Sequence, residues 1–273
     1  MINLKSYKLR DEFVINHSLP MSYKDSINNY LFELVMRVNY WINCKNTPIC
    51  IGINGAQGTG KSTMASFIKF YLEEMYKLNV VVVSIDDLYK TRKDREKLSL
   101  DVHQLFQTRG VPGTHDIDTG FSFINSCINE EFKEIKCPRF DKRNDDRMPI
   151  ENWINVDKKV DLVILEGWCV GTRPQPKSYL SSPINDFERI NDSDGIWRNY
   201  SNNQLFEYQK LFKLCSYLIM LNPPNFEIIY DWKLKQEIGL DIKSNKKLII
   251  NFVDHFERLT RWTLDDLPSQ ADI

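Results

Sequence analysis

Six cysteines are spread along the 273-residue chain without a single C-x-x-C pair among them. Cys50 and Cys215 lie in apolar runs, where a thiol behaves as a small hydrophobe, and Cys44, Cys127, Cys137 and Cys169 are scattered. This usage argues against a zinc site or a disulfide framework and for a reducing compartment. Charge imbalance is missing as well. The formal net charge is −1, so nothing points to a nucleic acid or a membrane surface as partner. No apolar run approaches the ~20 residues of a membrane span, and Met1-Ile2-Asn3-Leu4-Lys5 holds no apolar signal core. The expectation is a cytoplasmic protein. Internal repeats and low-complexity tracts are absent too. The composition that remains, 42% hydrophobic and 27% charged, suits a globular chain with a sizeable core. Its length favours one α/β core with insertions over two full domains.

The strongest local signal is Gly55-Ala56-Gln57-Gly58-Thr59-Gly60-Lys61-Ser62, followed by Thr63. It has the G-x-x-x-x-G-K-[ST] spacing of a P-loop, and lies between the apolar run Ile49-Cys50-Ile51-Gly52-Ile53 and a helical pattern over 61–78. Glycines keep side chains out of the loop, so that backbone N–H groups can turn inward around phosphate oxygens, and the following helix adds its positive end. In that setting Lys61 reaches the β- and γ-phosphates and the Ser62 hydroxyl ligates Mg²⁺.

Three further apolar runs follow: Val80-Val81-Val82-Val83-Ser84-Ile85, Val160-Asp161-Leu162-Val163-Ile164-Leu165 and the stretch from Leu214 through Leu221. The four valines predict a strand buried on both faces. Strands alternating with helical stretches predict an α/β fold with a doubly wound parallel sheet, whose ligand sits at the strand C-termini. Ahead of the first strand, Ser22 is a candidate N-cap for a helix with Ile27, Tyr30, Leu31, Leu34, Val35, Val38 and Trp41 at helical spacing. A last helix is expected over 246–262, with Leu248, Ile249, Phe252, Val253, Phe256 and Leu259 on one side. Residues 171–201, rich in Pro, Asn and Ser, read as a long loop. Residues 1–47 are therefore a helical segment packed on the core. Residues 48–273 are the nucleotide-binding domain, carrying a charge-rich insertion at 90–155.

Carboxylates end two of the strands. Glu166, after the third run, is placed to reach the metal beside Ser62. Asp86 and Asp87 follow the valine strand, and a carboxylate there can accept the proton of an attacking hydroxyl. Neighbouring residues on a strand point to opposite faces, so one of the two faces the nucleotide, and spacing leaves open which, or whether both serve as caps. The insertion holds two mixed-charge clusters, one with Arg109, His115 and Asp116 and one with Arg139, Asp141, Lys142 and Arg143. Cations of this kind hold anionic substrates, and Asp or His can bond their hydroxyls, although a solvated surface is the plainer reading of charged loops.

Taken in order, these stretches resemble a known family. They are Gly52-Ile53-Asn54-Gly55 with the P-loop, Ser84-Ile85-Asp86-Asp87-Leu88-Tyr89 and Arg109-Gly110-Val111-Pro112-Gly113-Thr114-His115-Asp116. Pro138-Arg139-Phe140-Asp141-Lys142, Leu165-Glu166-Gly167-Trp168 and Tyr230-Asp231-Trp232-Lys233-Leu234 complete the set. From about residue 48 to 262 the chain resembles the plant- and fungal-type D-glycerate 3-kinases and related bacterial kinases. It is more distantly similar to uridine kinases, phosphoribulokinases and type I pantothenate kinases. The resemblance implies ATP- and Mg²⁺-dependent phosphoryl transfer to a small hydroxylated metabolite, with D-glycerate first among the acceptors. It also implies that Asp86 is the base, that Glu166 attends the metal, and that the two insertion clusters lie where relatives bind the acceptor. Two positions depart from the family pattern: Lys233 stands where arginine is usual, and Phe140 where tyrosine is common. The rival expectations are a kinase of another small alcohol, such as uridine, pantothenate or a sugar phosphate, and a nucleotide-gated ATPase switch. Neither motif nor composition specifies an oligomeric state.

Overall fold

A computed structural model describes residues 2–45, 47–129, 133–239 and 246–273, with backbone alone at 236–239 and 246–248. In chain order the first elements are α1 (Leu4–Asn16), α2 (Tyr23–Ser26), a π-helical turn (Ile27–Leu31), α3 (Phe32–Lys45), β1 (Ile49–Gly55), α4 (Lys61–Tyr76) and β2 (Val80–Ser84). The insertion carries α5 (Arg92–Asp101), α6 (Ile117–Ile128) and four short strands, β3 (Ile135–Cys137), β4 (Phe140–Asp141), β5 (Asp146–Arg147) and β6 (Ile154–Val156). Then follow β7 (Leu162–Gly167), α7 (Asp186–Asn191), α8 (Ile196–Phe212), β8 (Cys215–Leu221), α9 (Ile228–Gly239) and α10 (Lys246–Asp266).

The four apolar runs form one parallel sheet in the order β2-β7-β1-β8, as the sequence predicts. Alternation along the strands sorts the two faces. Ile51, Ile53, Leu162 and Ile164 pack with α1, α3 and α4, whereas Cys50, Val163 and Leu165 pack with α6 and α8. Every residue of β1 and β7 is buried. The valine strand departs from expectation: β2 lies at the sheet edge, and only Val80 and Val83 are fully buried. An edge strand has a neighbour on one side alone, which opens its flank.

Residues ahead of β1 cover α4. Phe13 meets Phe67 edge-on at 5.1 Å, and Trp41 stacks on Tyr217 of β8 at 4.1 Å. Ser22 makes no side-chain cap, contrary to the expected role. Tyr30 is exposed where helical spacing put it inside, because the π turn inserts extra rotation there while Ile27, Leu31, Leu34, Val35, Val38 and Trp41 stay buried.

The largest correction concerns 171–201, where α7 and the start of α8 stand in place of a long loop. Its polar residues are internal struts. Arg198, buried, pairs with Asp192 at 2.9 Å, and the Asn202 side chain exchanges hydrogen bonds with the Gln175 backbone. Helix α10 buries Ile249, Val253, Phe256 and Leu259 but leaves Phe252 partly exposed at 39%. The side chain of Leu248 lies outside the described residues. Among the described helices none is long and apolar enough to cross a membrane.

Candidate active site

Strand β1 runs straight into the glycine-rich loop, and the loop runs into α4. Thr59 closes the turn by donating from its N–H and hydroxyl to Ala56 O, at 3.3 and 2.8 Å. Gly58 and Gly60 sit at φ +83° and +86°, a region costly for any residue with a Cβ. A Cβ on Gly58 would also lie 2.7 Å from the Cβ of Trp232 on α9, whereas one on Gly60 would meet nothing within 4 Å. The open side of the loop is thus where an anion meets the N–H groups opening α4. Gln57, Gly58, Lys61 and Ser62 line a cavity of about 660 Å³. Thr63 follows on the first turn of α4 and is not among its lining residues.

Because β7 lies between β1 and β2, Glu166 is carried beside both the P-loop and the turn after β2. The Ser62 hydroxyl donates to Glu166 Oε1 at 3.0 Å, while Oε2 is buried without a partner. Burial raises the Glu166 pKa, against the pull of Lys61 and the Ser62 hydrogen bond. A hydroxyl beside a carboxylate oxygen that has no partner is an oxygen donor set that suits a small hard cation such as Mg²⁺.

Asp86 and Asp87 sit in the 3₁₀ turn Ile85–Leu88 and diverge. Asp87 turns back into the fold. It accepts from Ser84 N at 3.4 Å and Phe140 N at 3.4 Å, and pairs with Arg139 at 2.7 Å. Burial outweighs Arg139 and raises the Asp87 pKa. Asp86 faces the cavity. Tyr89 donates its hydroxyl to Oδ1 at 3.0 Å, and Lys142 its ammonium to Oδ2 at 2.7 Å. Burial pushes the Asp86 pKa up, but Lys142, with help from Lys61, outweighs it and holds the carboxyl below its ordinary range.

Of the six residues expected to bind an acceptor, two line the cavity: Arg109 and Lys142. Arg109 pairs with Asp145 and lies 5.5 Å over the Phe140 ring. The other four are engaged elsewhere. His115 is buried against Tyr89 and Tyr208. Asp116 caps α6 through Thr119 N at 3.0 Å and pairs with Arg147 at 2.9 Å. Arg139 holds Asp87, and Asp141 accepts the N–H groups of Arg143 and Asn144 at 2.9 and 3.1 Å within its own turn.

With this geometry in hand, comparison with known proteins places the chain. A model of the KAP family P-loop domain matches residues 24–100. The solved D-glycerate 3-kinase of Cryptococcus neoformans shares the fold, with a TM-score of 0.73 at 21% identity, over 86% of this chain and 90% of that one. The chloroplastic D-glycerate 3-kinase of Arabidopsis thaliana is 25% identical over 205 residues, 71% of this chain and 42% of that protein. The uncharacterized kinase mug58 of Schizosaccharomyces pombe is 30% identical over 226 residues, 77% of this chain and 78% of its own length. The chain belongs to the glycerate-kinase-like P-loop kinases.

As a member of that family it is an ATP-dependent phosphotransferase acting on a small molecule. The kinase cavity also contains residues that sequence reasoning did not single out, among them Tyr89, Arg92, Asp145 and Trp168. Two of them had a signal. Tyr89 closes the Ser-Ile-Asp-Asp-Leu-Tyr stretch and Trp168 follows directly on Glu-Gly. Arg92 opens α5 and Asp145 lies in the turn between β4 and β5, both in charge-rich sequence where nothing marks one ion from the next. Lys233, one of the departures from the family pattern, lines the cavity with its ammonium 4.7 Å over the Phe252 ring. Phe140, the other departure, is buried edge-on to Tyr89 at 5.2 Å.

Proposed function

We propose that this kinase transfers the γ-phosphoryl group of ATP to a hydroxyl of a small hydroxy-acid, with D-glycerate the leading acceptor and Mg²⁺ the metal. The observation that carries the reading is the shared cavity. P-loop groups, the two strand-end carboxylates Asp86 and Glu166, and the cations Arg109 and Lys142 all open onto one space. Backbone N–H groups from Gly55 to Ser62 and the Lys61 ammonium hold the triphosphate. Ser62 and Glu166 would hold Mg²⁺, which when bound would supply positive charge against the phosphate groups. Asp86, kept ionised by its cationic neighbours, accepts the hydroxyl proton. The hydroxyl oxygen forms the new bond to phosphorus as the bond to the β,γ-bridging oxygen breaks, and ADP leaves. Arg109 and Lys142 suit the carboxylate of a hydroxy-acid, and their presence beside the base favours a kinase over a nucleotide-gated switch, which needs no acceptor pocket. The name of the Arabidopsis relative makes D-glycerate the first acceptor to try.

The test is a coupled assay of ADP release with D-glycerate, uridine and pantothenate supplied separately. D-Glycerate is expected to stimulate ADP release. Stimulation by another alcohol without any by D-glycerate would remove glycerate, and acceptor-independent hydrolysis alone would favour the switch.

A further inference from the structure

Two motifs far apart in sequence meet beside the presumed base. Lys90 N donates to Thr114 O at 2.8 Å and Asp116 N to Leu88 O at 2.7 Å, with Tyr89 opposite His115 in an antiparallel bridge. The rings of Tyr89 and His115 stack, their centroids 4.4 Å apart and their planes 22° from parallel. Behind His115, Nδ1 lies 2.6 Å from the Tyr208 hydroxyl, which also accepts from Gly113 N at 3.0 Å. This contact ties the His115 ring to Tyr208 through Nδ1, while Nε2 is buried without a partner, a setting that suits an uncharged imidazole. Burial favours the same neutral form, lowering the His115 pKa to about 3. His115 therefore acts here as a braced, uncharged plate against the Tyr89 ring.

Tyr89 is held on several sides. His115 stacks on one face, Phe140 meets it edge-on at 5.2 Å, and Arg147 donates to its carbonyl from Nε and Nη2 at 3.1 and 2.9 Å. Its hydroxyl reaches Asp86 Oδ1 at 3.0 Å. The other carboxylate oxygen, Oδ2, is met by Lys142, whose side chain is 60% exposed. One oxygen of Asp86 is thus gripped from the buried side, and the other is left to the cavity side.

We infer that Tyr89 is the positioning residue for Asp86, fixing the carboxylate through Oδ1 so that Oδ2 faces the acceptor hydroxyl, with His115 and Tyr208 bracing the Tyr89 ring. This rests on the reading of Asp86 as the base. On this account the Gly-Thr-His-Asp stretch serves the reaction through Tyr89 rather than by touching the acceptor. A carboxylate free to turn about its Cβ–Cγ bond loses near-attack geometry, and misplacement on the scale of 1 Å costs about 100-fold in rate.

The experiment compares Tyr89→Phe with Tyr89→Leu, using D-glycerate or whichever panel alcohol supports turnover. Phe keeps the ring contacts and loses only the hydroxyl. The expected result is a kcat lower by about 10- to 100-fold, with KM for ATP and acceptor within about twofold of wild type, and a deeper loss for Leu. A Phe variant with wild-type kcat overturns the proposal. So does a rise confined to the acceptor KM, which would make Tyr89 a binding residue, or a loss of ADP affinity, which would make it a general support of the site. Asp86→Asn is run alongside. Wild-type turnover there removes the base reading itself, whereas an inactive Asn variant beside a fully active Phe variant removes only the positioning role.

Discussion

The Ser62 hydroxyl donates to Glu166 Oε1 across 3.0 Å, joining the first turn of α4 to the end of β7. Its neighbour Oε2 is buried with no partner. An unsatisfied buried polar group costs roughly 1–3 kcal/mol, more when charged, and a bound cation removes that cost. Glu166→Gln keeps an oxygen for the Ser62 hydroxyl and loses the charge. Its melting temperature is expected to equal or exceed that of wild type. The Mg²⁺ concentration for half-maximal turnover should rise about tenfold or more, the scale seen when metal-site residues are altered. A Mg²⁺ titration at saturating ATP reads this directly, and an unchanged titration would take Glu166 away from the metal.

Lys142 sets the acid side of the pH profile. Burial by itself raises the Asp86 pKa, and Lys142 is the foremost of the cations that bring it below the ordinary value. Lys142→Met therefore moves that pKa upward, so at a given acidic pH less of the base is ionised. The acid limb of the kcat profile shifts to higher pH. Turnover should fall more steeply than in wild type on the acid side and differ little at alkaline pH. An acid limb in the same place, whatever the change in acceptor KM, would mean that Lys142 does not tune the base.

Asp86 and Asp87 mark where legibility in the sequence ends. The P-loop and the sheet are readable because their physics is local: glycines are needed where the backbone turns left-handed, and apolar runs make buried parallel strands. Spacing cannot rank two adjacent acids. Family resemblance favoured Asp86, and the fold separates them through Arg139, which lies 52 residues from the Asp87 it holds. The surroundings of His115, Asp116 and Asp141 are hidden as well, since a charge in a loop looks alike whether it meets a ligand, a helix end or its own turn. Helix α8 was obscured by its own interior. Arg198 reads as a loop residue, yet it is buried because Asp192 satisfies it. Tyr30 was misplaced by a π turn that apolar spacing alone does not announce.

Gly58 couples the P-loop to α9. At φ +83° a side chain is strained by about 1–2 kcal/mol, and its Cβ would also fall 2.7 Å from Trp232 Cβ. Gly58→Ala is therefore expected to weaken ADP binding about tenfold or more, read by isothermal titration, since each 1.4 kcal/mol is tenfold. Adding Trp232→Gly removes the opposing Cβ but not the backbone strain, so the double variant should recover part of the affinity relative to Trp232→Gly alone. Equal losses in both backgrounds would show that the contact with Trp232 is immaterial.

Two buried histidines make acid pH a stress on the fold. His115 and His255 have pKa values lowered by burial from 6.5 to about 3 and about 4. Between those values and 6.5 the unfolded chain takes up protons that the folded chain refuses, so stability falls as pH falls. The contribution is fully present above pH 6.5 and is lost as pH drops toward the folded values. Each histidine costs about 1.4 kcal/mol for one pH unit below 6.5. Asp87 and Glu166, with raised pKa values, work in the opposite sense near their own range, which makes the absolute slope a composite. The difference between wild type and His255→Phe isolates one histidine. Its ring is surrounded by Phe187, Trp197 and Phe256, so phenylalanine keeps an aromatic packing partner there and cannot be protonated. Urea unfolding at about pH 7.5 and about pH 5.5 should show the variant losing about 1 kcal/mol less than wild type on acidification. Parallel losses in the two proteins would mean that His255 accepts its proton in the folded state.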